Sequence, residues 1–199
     1  AEYGLTFDKG VDFLLKIHST EDSVLLVQDR YHGMYANYMA EVNGGDAYID
    51  PPAKASPHFE VASMAVKNIA RQYNEIPAML DSYETGRLCY GNADPGSPDY
   101  NSLTDFIASG DHVEIRIPWG LLNFGDPSRM QIHDDYYDGN YGVEFIPLKE
   151  ISLGLGDGSR MIHTGTVSLK GWGNDVACHE RLKSAYYGLQ DCWTGGDGS

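Results

Sequence analysis

The stretch His133-Asp134-Asp135-Tyr136-Tyr137-Asp138-Gly139-Asn140-Tyr141 crowds three carboxylates and an amide around a glycine turn. Hard oxygen donors of this kind suit calcium, which gathers roughly six to eight of them. Asp134, Asp135, Asp138 and Asn140 are therefore the expected ligands of a structural calcium ion that stiffens the loop. The spacing is not that of an EF-hand, and a solvated acidic turn is the competing reading. Asp29, Asp46, Asp50 and Asp157 are weaker candidates, each read first as an ordinary turn carboxylate.

The same loop holds Tyr136, Tyr137 and Tyr141, and Trp172 lies between glycines in Gly171-Trp172-Gly173-Asn174-Asp175. Flat aromatic faces on turns stack against the apolar faces of sugar rings, while neighbouring Asn, Asp or Arg fix the hydroxyls. Tyr31, Tyr35 and Tyr38 around Gly33 make a second aromatic group, expected on a loop and the strand that follows. Edge-strand tyrosines and a lid indole are the plainer alternatives. Trp119 is expected in the core, and Trp193 is expected to pin the C-terminus.

Catalytic chemistry finds little support. No GxSxG, HExxH, P-loop or GxGxxG element is present, and His163 and His179 stand alone among seven histidines without a spaced pair. A glycosidase needs two carboxylates roughly 5–10 Å apart, which sequence spacing does not establish. The expectation is a protein that is not an enzyme. Cys89, Cys178 and Cys192 match neither a zinc pattern nor a CxxC pair; one disulfide plus one free thiol, with Cys178–Cys192 the first pair to test, and three buried thiols stay open.

Twenty-nine acidic against fourteen basic residues give a net charge of -15, which repels nucleic acid and anionic membranes and leaves a neutral polysaccharide unaffected. No apolar run is long enough to span a bilayer. The start at Ala1 without a signal-like segment reads as an excised module, and Gly195-Gly196-Asp197-Gly198-Ser199 as a linker or expression scar.

The elements that must position these residues are mostly strands. Apolar runs of strand length occur at Val11–Ile17, Val24–Val27, Tyr35–Val42, Phe59–Val66, His112–Ile117, Ile151–Leu155 and Thr164–Leu169. Between them lie turns rich in Gly, Asn, Asp and Pro, such as Asn92-Ala93-Asp94-Pro95-Gly96 and Gly156-Asp157-Gly158. Only Trp119–Phe124 and Glu180–Gln190 read as short helices, the second also as a last strand. The expected fold is all-β, an antiparallel sandwich of one domain over residues 1–193 with a tail at 194–199.

One stretch is more specific. Val113-Glu114-Ile115-Arg116-Ile117-Pro118-Trp119 resembles the E-x-x-I-P strand and helical turn of family 9-like (DOMON-like) carbohydrate-binding sandwiches. Val11–Ile17 followed by Ser23–Asp29 is similar to the paired first strands of that superfamily, except that Asp29-Arg30-Tyr31 replaces its usual turn toward an Asp-Thr pair. Glu84-Thr85-Gly86-Arg87-Leu88 and His179–Tyr187 resemble modules found C-terminal to glycoside-hydrolase-like domains of large bacterial surface proteins. The resemblance implies a jelly-roll sandwich, secretion or attachment to a cell surface, and polysaccharide or oligosaccharide as ligand. Some members hold haem instead, between an axial Met and His. A structural sandwich that packs on a neighbouring catalytic domain of the same polypeptide is the alternative, and an independent hydrolase or lyase ranks third.

Overall fold

In the computed structural model, residues 9–32, 35, 52–67, 80–139 and 142–173 are described. The organising strand is Val24–Gln28 (β2). It pairs antiparallel with Phe13–Lys16 (β1) on one edge and with Phe59–Val61 (β3) on the other. Phe13 lies opposite Val27 and Leu15 opposite Leu25, so alternation places both pairs on one face. The turn into β2 is made by serines. Ser19 Oγ accepts from the Asp22 amide at 2.9 Å, and Ser23 Oγ donates to the Ser19 carbonyl at 2.6 Å.

Ala62 interrupts the expected strand Phe59–Val66, and the chain resumes as Ser63–Lys67 (β4), paired with Leu80–Glu84 (β5). It then returns along β2. The Leu25 amide donates to the Gly86 carbonyl at 2.7 Å and the Leu88 amide to the Ser23 carbonyl at 2.9 Å, while the Ala62 amide takes the Leu25 carbonyl at 3.0 Å. Three backbone segments thus converge at Gly86. A Cβ there would lie 2.5 Å from the Leu25 carbonyl oxygen and 2.8 Å from the Ala62 nitrogen, so only glycine fits.

Phe106–Ser109 (β6) and His112–Ile115 (β7) form a hairpin about Gly110, whose φ of 61° supplies the left-handed residue that a two-residue turn requires. The main core joins this hairpin to the first sheet. Leu25, Val27, Ala62, Leu88 and Phe106 are buried together, with Phe13, Leu15, Ile17, Ile117 and Leu121 packed against them. Pro118 then leads into a 3₁₀ turn at Trp119–Leu122, shorter than the expected helix because Phe124 already begins a strand. Phe124–Asp126 (β8), Gln131–His133 (β9) and Phe145–Pro147 (β10) form a meander.

The last described element is the hairpin of Glu150–Gly156 (β11) and Met161–Ser168 (β12). Ile151 lies opposite Val167 and Leu153 opposite Gly165, whereas Ser152 faces Thr166 and Gly154 faces Thr164. One face is therefore apolar and the other small and polar. The apolar face is exposed, with Leu153 at 56% and Leu155 at 60%.

Asp157 folds the hairpin's turn by accepting from the Ser159 hydroxyl at 2.7 Å and from the Ser159 and Arg160 amides at 3.0 and 3.1 Å. These bonds hold its carboxyl down to about 2, the Ser159 hydroxyl contributing most. With a folded pKa below the unfolded one, the stabilisation is complete above the usual carboxylate range and is lost as pH falls toward 2. A carboxyl-resolved NMR titration should place Asp157 about two units below a model aspartate; a midpoint near ~3.9 would dissolve this turn.

The described residues are all-β, with antiparallel sheets and no helical element longer than four residues among those assigned a range. The strand expected at Tyr35–Val42 is corrected at its first residue, because Tyr35 is helical. The remainder of that run, Glu180–Gln190, Asp46, Asp50, His179, Cys178, Cys192 and Trp193 lie outside the described residues. Cys89 is a free thiol.

Candidate functional site

Arg30 sits in the 3₁₀ turn Asp29–His32 that continues from β2, and its side chain is only 6% exposed. A guanidinium so buried must find partners for its charge and its donors. Nε donates to Asp135 Oδ2 at 3.0 Å and Nη1 to the Pro52 carbonyl at 2.8 Å, while Nη2 lies 2.9 Å from Asp138 Oδ2. Lys54 Nζ reaches the same Asp138 oxygen at 2.5 Å. Burial opposes the guanidinium charge, but the hydrogen bond and charge of Asp135, joined by Asp138, outweigh it and raise the pKa. Lys54 first, then Arg30, hold the Asp138 carboxyl below its ordinary range.

The tyrosines gather on the same hub. The Arg30 guanidinium lies 5.6 Å from the Tyr137 ring centroid, and Tyr136 meets Tyr137 edge-on at 5.1 Å. Tyr31 shares a hydrogen bond with Asp12 and feels the charges of Asp135 and Arg30. Burial is the larger cause that pushes both the Tyr31 phenol and the Asp12 carboxyl up. His32 and Tyr35 stack at 4.7 Å. The two tyrosine groups that the sequence separates by a hundred residues are therefore joined through Arg30, with Tyr31 in a 3₁₀ turn and Tyr35 helical. Tyr38, Asn140 and Tyr141 lie outside the described residues.

The acidic loop is thus stiffened from within the chain. Asp135 Oδ1 accepts the Tyr137 amide at 2.9 Å and Asp134 Oδ1 the Glu144 amide at 3.3 Å, while Asp135 Oδ2 and Asp138 Oδ2 face Arg30 and Lys54. A calcium ion would have to compete with two cations for those oxygens. Among the described residues, no three His, Cys, Asp or Glu side chains converge as a metal requires. Those present fit a calcium site poorly.

A second aromatic surface is built on the turn at Pro127–Arg129. Asp126 caps it, accepting from the Ser128 hydroxyl at 2.6 Å and from the Arg129 amide at 3.3 Å. The Ser128 carbonyl in turn receives the Trp172 and Gly173 amides at 2.8 and 3.0 Å. Gly171 permits that approach, since a Cβ there would stand 2.5 Å from the same carbonyl. Trp172 is held 41% exposed beside Trp119, with ring centroids 6.3 Å apart and planes inclined by 43°.

Trp119 corrects an expectation. It is 37% exposed instead of buried, resting edge-on against Phe124 at 4.7 Å. Pro118 is the signal that could have revealed this: it ends the extended segment, so the indole opens a surface turn instead of filling an inward strand position. His163 lies on β12 opposite Leu155 and is exposed. Comparison of the chain with family models gave no match, and neither curated proteins nor solved structures gave one similar to it.

Proposed function

We propose that the chain is a non-catalytic carbohydrate-binding module, a DOMON-like sandwich that tethers a larger secreted or surface protein to a neutral polysaccharide. The observation that carries this reading is the half-exposed pair Trp119 and Trp172, the second fixed by backbone hydrogen bonds to Ser128 and the first resting on Phe124. Two inclined indoles present apolar faces to solvent at little ordering cost, which is what stacking on sugar rings requires. The net charge of -15 does not oppose an uncharged glycan.

Isothermal titration with soluble glucans and xylans tests the proposal. Binding should be weak, without turnover, and Trp172→Ala should weaken it about fivefold, the loss of about 1 kcal/mol of stacking, while the domain stays folded. Wild-type affinity in a folded Trp172→Ala variant removes this site. A second reading rests on the exposed apolar face of the β11–β12 hairpin, with Leu153, Leu155 and Val167. Such a face suits packing against a neighbouring domain of the same polypeptide, and it becomes the main reading if no glycan binds.

A further inference from the structure

Beside the Trp119 turn lies an open depression of about 500 Å³, bounded by Tyr100, Leu103, Asp105, Arg116, Pro118 and Leu121. Tyr100 and Leu103, 47% and 63% exposed, form an apolar rim. Asp105 and Arg116 carry the more telling geometry. They follow the β6–β7 register, one position beyond Phe106 and Ile115, and the Arg116 amide donates to the Asp105 carbonyl at 2.7 Å. Opposite charges at such cross-strand positions ordinarily pair with each other.

Here each turns elsewhere. Asp105 Oδ2 accepts the Cys89 amide at 2.8 Å, whereas Arg116 Nε donates to Glu114 at 2.8 Å and Nη1 to the Ala93 carbonyl at 3.1 Å. Asp105 Oδ1 and Arg116 Nη2 carry no hydrogen bond to the described residues. The depression is therefore lined by an acidic and a basic side chain that are not paired with each other, together with the apolar Pro118 and Leu121.

Resting on the glycan-binding reading, we infer that this depression is a second subsite, in which Asp105 and Arg116 bind adjacent hydroxyls of an uncharged sugar ring. Asp105 opposes an anionic sugar and Arg116 a cationic one, so the neutral ring is the ligand that both charges accept. Pro118 immediately precedes Trp119 and Leu121 lies within the turn that Trp119 starts, about 6 Å of chain from Pro118 to Leu121 at ~2 Å per residue. The two subsites are contiguous, and the preferred ligand is an oligosaccharide rather than a single sugar.

Titration of xylo- and cello-oligosaccharides, from monosaccharide to hexasaccharide, against the full chain separates this claim from the one beneath it. Tyr100→Ala and Arg116→Gln should each weaken the longer ligands about fivefold and leave mono- and disaccharides unchanged, whereas Trp172→Ala should weaken every length. Both altered residues are exposed, and Tyr100→Ala removes no ring contact among the described residues, so this variant is expected to keep the fold. If both variants match wild type at every length while Trp172→Ala still loses affinity, the second subsite is wrong and the indole site stands. If wild type binds none of these sugars, the glycan reading falls with it.

Discussion

Replacing Gly86 by alanine should destabilise the protein by about 3 kcal/mol, the upper range for an overpacked core, and lower the melting temperature by roughly 10 °C. The added methyl would press on the Leu25 carbonyl oxygen and the Ala62 nitrogen, and within 2.9 Å of a Val61 methyl. Two of these three neighbours are backbone atoms, the partners of the hydrogen bond that joins β2 to Ala62. Side-chain rearrangement offers no relief, so the strands themselves would have to part. Urea unfolding measures the effect directly, and a change below ~0.5 kcal/mol would mean that the crossing at Gly86 is looser than described.

Asp135→Asn should be the next most damaging change. The amide keeps the Oδ1 acceptor that folds the loop through the Tyr137 amide, but it removes the charge facing Arg30 Nε. A buried guanidinium that loses a partner costs about 3–5 kcal/mol; because Asp135 is still 28% exposed, we expect about 2–3 kcal/mol. Arg30→Met in the same background should recover part of the loss, since it removes the stranded charge, and this double-mutant cycle distinguishes ion pairing from a general loop defect. Additive losses would reject the pairing. With Asp135 and Asp138 neutralised internally, millimolar calcium should leave the melting temperature where chelator leaves it. A rise with calcium would return the loop to the metal.

What the sequence made legible follows from how locally each feature is encoded. The runs at Val11–Ile17 and Val24–Val27 have strand period and a serine-rich turn between them, and they fold as β1 and β2. Pro118 marked the end of its strand and the start of the Trp119 turn. The strands β8, β9 and β10 have three residues each, too few for any alternation to register. Ala62 gave no sign of breaking β3 from β4, because the break is imposed by the chain crossing at Gly86.

The site was legible in its residue types and not in its groupings. Asp135, Asp138, Tyr31 and Tyr137 were singled out, yet their common partner Arg30 was not, because the ion pair to Asp135 spans 105 residues. Trp172 was placed on a turn from its flanking glycines, but its neighbour Trp119 was assigned to the core on the strength of its apolar surroundings. Tyr100, Asp105 and Arg116 lie in stretches without periodicity or motif, and only the β6–β7 register brings the last two together.

The pairing of the named strands bears on the order in which the molecule assembles. Apart from β2 with β3, which are thirty residues apart, the named strands pair across short connections or within hairpins, the β11–β12 turn over only four residues. Bringing Asp135 to Arg30 closes a loop of 105 residues, which costs about 3 kcal/mol more chain entropy than a four-residue turn. That contact forms profitably only after the intervening hairpins have shortened the effective path. The Arg30 clamp is then expected to form after the hairpins whose strands it follows in space, and the order of closure runs from local turns to this long-range contact.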